Sequence, residues 1–147
     1  MKPTSAQRIA AGMAVLGLTF GGWRVHAQTD AVTGTPDLTI TSLSGPTNAA
    51  RGATISVVHT TKNVGSALAG ASTSKFYLCT NNVACNYRNQ QSVPALAAGA
   101  SKTLTNTGFS VPADQALGTN YIVGVCGFGI TQPTGNDTNS IPIVITP

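Results

Sequence analysis

The sequence predicts an all-β sandwich of about seven antiparallel strands, and three observations predict it. Short segments rich in Thr, Ile and Val alternate apolar with polar residues at a period of two. Clusters of Gly, Pro, Asn and Ser punctuate these segments at the spacing of sandwich turns. No segment carries helical periodicity with caps at both ends, and no internal repeat marks an array.

The strands are read in order. Pro36-Asp37-Leu38-Thr39-Ile40-Thr41 begins the first, and its leading proline suits a sheet edge. Gly45-Pro46-Thr47-Asn48 is a turn. Thr54 to Thr61 is the second strand, closed by Asn63-Val64-Gly65. Ile55, Val57, His59 and Thr61 share one of its faces, so either two polar groups lie at the wet end of the core or a bulge shifts the register. Ser74 to Cys79 is the third strand, with Phe76 and Leu78 inward and Lys75 and Tyr77 outward. Asn86 to Val93 is a short polar strand. Val93-Pro94-Ala95-Leu96-Ala97-Ala98-Gly99-Ala100-Ser101 then reads as a corner, where the chain leaves one sheet for the other. Leu104 and Gly108 to Val111 belong to the next strand. Thr119 to Cys126 carries apolar residues on both faces, as a central strand does, with Tyr121, Val123 and Val125 opposed to Ile122, Gly124 and Cys126. Gly127 to Asn136 is a loop, and Ile141, Ile143 and Ile145 alternate along the last strand.

Residues 1–27 read as a cleaved signal peptide. Lys2 and Arg8 are basic, Ile9 to Phe20 is apolar, and Val25-His26-Ala27 offers a small-x-small cleavage site. The apolar run is shorter than the roughly 20 residues of a spanning helix, so no membrane span is expected in the mature chain. No cysteine follows the cleavage site to carry a lipid, and no sorting tail is read at Pro147. Residues 28–35 form a Thr/Gly-rich flexible leader, and 36–147 a single domain. Export leaves five cations, scattered singly, against four aspartates, a net charge of +1. The basic balance of the full chain is therefore mostly the signal's, and nucleic acid is not an expected partner.

Three cysteines sit in what this reading makes an oxidising compartment, and the odd count leaves one unpaired. Cys79 and Cys85 flank a turn-like insert. Chain entropy gives about 2.4 kcal/mol for that short ring and about 4 kcal/mol for a Cys79–Cys126 link. Hairpin neighbours meet without distortion, which favours Cys79–Cys85 and leaves Cys126 a buried thiol.

No catalytic constellation is read. His59 is the one histidine beyond the signal and lacks an orienting partner. Ser72-Thr73-Ser74-Lys75 has the SxxK spacing without its companion motifs. Four isolated aspartates supply no carboxylate pair. Cys79 and Cys85 lack companions at zinc spacing, and the one carboxylate in Asn136-Asp137-Thr138-Asn139 makes a poor calcium site. No enzyme activity, cofactor or metal is expected. Outward Tyr77, Tyr87 and Phe128 are the candidate binding surface, a small aromatic platform for protein or sugar.

In their order, Pro36-Asp37-Leu38, Gly52 through Lys62-Asn63-Val64-Gly65, Phe76-Tyr77-Leu78, Val93 to Ser101, Gly118-Thr119-Asn120-Tyr121-Ile122 and Asp137-Thr138-Asn139-Ser140 resemble the CARDB family. Its members are immunoglobulin-like domains of bacterial cell-surface and secreted proteins. The resemblance implies an immunoglobulin-like β-sandwich and a role in adhesion or protein interaction, with a protein or cell-envelope component as partner. A carbohydrate-binding module, with a glycan on the tyrosines, is the alternative. The sequence departs from the family after Cys126, where Gly127-Phe128-Gly129 stands in place of acidic residues. That loop is where a function particular to this chain is to be sought.

Overall fold

A computed structural model describes residues 34–81 and 84–147. The signal peptide read at 1–27, most of the leader at 28–35 and the tip of the cysteine-flanked turn lie outside the described residues.

The described chain forms β1 (Leu38–Ser44), β2 (Asn48–Ala50), β3 (Thr54–Asn63), β4 (Ser72–Thr80), β5 (Ala84–Val93), β6 (Ser101–Ser110), β7 (Gly118–Phe128) and β8 (Thr138–Thr146). Two sheets result, one ordered β1-β3-β6 and the other β2-β8-β7-β4-β5. This is the expected immunoglobulin-like sandwich. The eighth strand is the three-residue β2, which pairs with β8 in parallel. The sequence suggests the turn Gly45-Pro46-Thr47-Asn48 and no strand after it, because only Ala49 of the β2 residues reaches the core. β7, the strand with apolar residues on both faces, is the centre of the larger sheet.

Alternation builds the core. Val57 on β3, Phe76 and Leu78 on β4, Phe109 on β6, Ile122 on β7 and Ile143 and Ile145 on β8 all lie inside. Two bulges adjust the pattern in the smaller sheet. The shift between Ile40 and Ser42 turns Leu43 back to the core after Ile40. A second falls between Ile55 and Val57. Both alternatives for β3 therefore hold in part. The bulge is present, but His59 and Thr61 are wholly buried rather than at a wet end. Gly124 gives β7 room to pass under Phe76: a Cβ there would lie 3.0 Å from Ile40 Cδ1 and 3.2 Å from Phe76 Cε1, so these neighbours would have to shift.

The corner carries the chain from β5 of one sheet to β6 of the other. Asn63 pins it. Its buried Nδ2 donates to Leu96 O (2.9 Å) and Ala67 O (2.7 Å), and its Oδ1 accepts from Asp37 N (3.1 Å) and Gly65 N (3.0 Å). Both donors and both lone pairs of the amide are used, so burying it costs little. Gly65 lets this turn pass close to the chain entering β1, because a Cβ there would fall on Thr35 O. At the far edge, Asn89 of β5 and Asn106 of β6 exchange reciprocal amide bonds of 2.6 and 2.9 Å between the two sheets.

Candidate functional site

Cys79 and Cys85 face each other directly across the β4–β5 ladder and are joined as a disulfide. The bridge closes the turn end of the β4–β5 hairpin, next to Tyr121 in the β4–β7 register. Cys126 is a buried free thiol, with Leu38 O at 3.2 Å and Asp137 O at 3.3 Å as acceptors. Burial, reinforced by the negative charge of Asp137, pushes its pKa up to about 12. A thiol so far from ionising is a poor nucleophile and a poor metal ligand.

His59 lies wholly inside, with its ring edge-on to Phe76 at 5.0 Å between centroids. Neither ring nitrogen has a hydrogen-bond partner. Burial lowers its pKa, so the ring is neutral at physiological pH. No part of the ring reaches the surface. Among the described residues, no three His, Cys, Asp or Glu side chains converge on a point that could hold a metal ion, and no helix is long and apolar enough to cross a membrane.

The outward face of the larger sheet is where the aromatic residues gather. Tyr77 pairs with Tyr87 on one side and Val123 on the other. The two tyrosine rings stand 5.9 Å apart at 72°. Lys75, one alternation along β4, places its ammonium 4.2 Å from the Phe128 ring centroid. Phe128 reaches this face because the β4–β7 register shifts between Thr73 and Lys75. The three residues singled out from sequence therefore lie on one sheet face, with Tyr77 and Phe128 half-buried and Tyr87 half exposed. Tyr121, paired with Cys79 across the β4–β7 ladder, extends the same surface beside the disulfide.

A second feature was not foreseen. Between edge strand β5 and the β6–β7 connection lies a polar cleft of about 410 Å3, lined by Thr80, Asn86, Arg88, Pro112, Asp114 and Gln115. Its floor is a network of buried amides. Gln115 Nε2 donates to Asn120 Oδ1 (2.8 Å) and Thr80 Oγ1 (3.1 Å), and Thr80 Oγ1 donates to Asn120 Oδ1 (3.2 Å). Asn120 Nδ2 donates to Ala116 O and Gly118 O. Arg51 Nε holds the Gln115 carbonyl at 2.6 Å. No sequence pattern announces this network, because it forms only once the Pro112–Leu117 turn folds against β4.

The fold and its outward surfaces define a class, the immunoglobulin-like β-sandwich domains. The CARDB family model matches residues 35–125, and the chain belongs to that family, a family of non-catalytic binding-type domains. Among solved structures, the chain is similar to the crystal structure of a Pyrococcus furiosus CARDB domain in complex with di-metal ions. The TM-score is 0.56 at 17% identity, covering 76% of this chain and 90% of that one. A solution structure of the same domain gives a TM-score of 0.52 at 18% identity, covering 76% and 95%. A β-glucosidase from Erythrobacter marinus matches at a TM-score of 0.51 and 14% identity, over 76% of this chain but 16% of that enzyme. These likenesses show the fold alone. No curated protein matches the chain in sequence.

Proposed function

We propose that this chain is an exported, non-catalytic binding module whose aromatic sheet face docks a protein of the cell surface or envelope. The observation that carries the reading is the gathering of Tyr77, Tyr87, Lys75 and Phe128 on one outward face of a rigid sheet. Aromatic residues and a partly desolvated cation are the groups that anchor protein interfaces. The Cys79–Cys85 bridge supports export to an oxidising compartment, as the signal-like residues 1–27 do. His59 and Cys126, the two side chains best suited to nucleophilic or acid–base work, are sealed in the core, which supports the non-catalytic reading.

The crossed tyrosine rings favour a protein over a glycan here. A sugar stacks on rings that offer their faces in one plane, whereas 72° between Tyr77 and Tyr87 suits the irregular relief of a protein. The test is capture from the producing cell's envelope fraction with residues 28–147 as bait. Capture of a defined protein by the wild type, lost in Tyr77→Ser/Tyr87→Ser with unchanged thermal stability, is the expected result. Tyrosine-dependent binding on a glycan array without protein capture would replace this reading with the carbohydrate one.

A further inference from the structure

We propose that the polar cleft between β5 and the β6–β7 connection is a binding site for a neutral, polyhydroxylated ligand, a saccharide residue. The site lies apart from the aromatic face, and the inference stands independently of the docking reading.

Gln115 is nearly buried, and both hydrogens of its amide nitrogen are committed to Thr80 and Asn120. The Thr80 hydroxyl donates to Asn120, and both Nδ2 hydrogens of Asn120 are used. By the inventory of these groups, one strong acceptor remains over, Gln115 Oε1, which none of the hydrogen bonds among the described residues uses. Its orientation is set by the network and by the Arg51 bond to the same residue's carbonyl. It is therefore an acceptor ordered before any ligand arrives, which lowers the entropy cost of binding.

The walls complete a mixed set. Arg88 uses Nε on Asn86 O at 3.3 Å, and its terminal N–H groups have no acceptor among the described residues. Asp114 lines the same cleft without pairing with Arg88. Asn86 brings both a donor and an acceptor. One cation and one anion make the cleft neutral in sum, so it selects neither for an anion nor for a cation. Apolar ligands are disfavoured because nearly all the lining is polar. What remains is a neutral ligand in which each group both gives and takes a hydrogen bond, as sugar hydroxyls do. Planar guanidinium, carboxylate and amide groups each engage two neighbouring hydroxyls at once. The volume sits toward the lower end of the roughly 300–1,000 Å3 typical of small-ligand sites. An open polar cleft without a stacking ring implies weak binding, with Kd of about millimolar order.

The test is a two-dimensional NMR titration of residues 28–147 with a panel of neutral mono- and disaccharides, an acidic sugar and free amino acids. The expected result is a saturable shift with at least one neutral saccharide, at the Gln115 side-chain amide and the Asp114–Ala116 backbone. Asp114→Ala, at an exposed position, and Arg88→Ala, at a partly buried one, should each weaken it about tenfold, the loss of one charge-assisted hydrogen bond, with melting temperature unchanged. Tyr77→Ser/Tyr87→Ser should leave it intact, which separates this site from the aromatic face. The proposal is overturned if no neutral saccharide shifts these resonances, if the shifts ignore both cleft substitutions, or if only amino acids or the acidic sugar saturate the site.

Discussion

Acid should destabilise this domain through His59. His59 is wholly buried against Phe76, and neither ring nitrogen has a partner that could share a positive charge. Burial lowers its pKa in the folded state, so the ring stays neutral there while the unfolded chain titrates at about 6.5. Above that pH both states are neutral and the residue adds no pH dependence. Below it the unfolded state takes up the proton first, and stability falls as pH falls, by at most about 1.4 kcal/mol per pH unit. The fall continues until the folded ring also protonates. At pH 5 the loss is at most about 2 kcal/mol, reached if the folded ring is still neutral there. Out of a total of about 5–15 kcal/mol, that loss is readily measured. Urea unfolding of residues 28–147, followed by circular dichroism from about pH 7.5 to about pH 5, should show this fall in the wild type. His59→Leu keeps the volume and removes both the titration and the two unpartnered nitrogens. It should flatten the profile and be at least as stable as the wild type at neutral pH. A wild-type profile that is flat, or an equal fall in His59→Leu, would refute the reasoning.

The remaining predictions concern the scaffold. Cys79→Ala/Cys85→Ala should lose about 2.4 kcal/mol in urea unfolding, the chain entropy of the short ring, while leaving the strands formed. Asn63→Ala unpairs two backbone donors and two carbonyls and should cost about 3 kcal/mol or more; hydrogen exchange should rise at Leu96 and Gly99, whose corner it holds. Cys126, raised to about 12, should resist iodoacetamide at mildly alkaline pH in the folded protein and react promptly in denaturant. Reaction at equal rates in both states would show the thiol to be accessible.

What the sequence makes legible is whatever a local period can express. β4 alternates, so Phe76 and Leu78 could be assigned inward and Lys75 and Tyr77 outward, and β8 alternates through Ile141, Ile143 and Ile145. β2 was illegible because three residues with one buried alanine carry no period. Its pairing depends instead on Ile145 and Thr146 arriving from the other end of the chain. The bulge after Ile40 was equally silent, since Thr41-Ser42-Leu43 reads the same with or without the shift. The cleft was missed for a different reason. Pro112-Ala113-Asp114-Gln115 reads as a solvated turn, and nothing local says that Gln115 will turn inward onto Thr80, 35 residues away.

The pieces that carry the family resemblance fall largely where buried amides tie loops to strands. Asn63 clamps the β3–β4 turn to the corner at one end of the sandwich. Asn120, in Gly118-Thr119-Asn120-Tyr121, clamps the β6–β7 connection by the same use of both amide hydrogens. An asparagine in such a place cannot be exchanged for an apolar residue without stranding several backbone groups at once. That makes these positions signatures of the fold rather than of a ligand. Of the side chains on the two proposed surfaces, Tyr87, Arg88, Asp114 and Phe128 lie outside the resembling pieces, on edge strand β5, on the β6–β7 connection and at the end of β7, and Tyr77 lies within one. Family membership in this chain therefore speaks for the frame, and its binding specificity is to be read from the residues between the clamps.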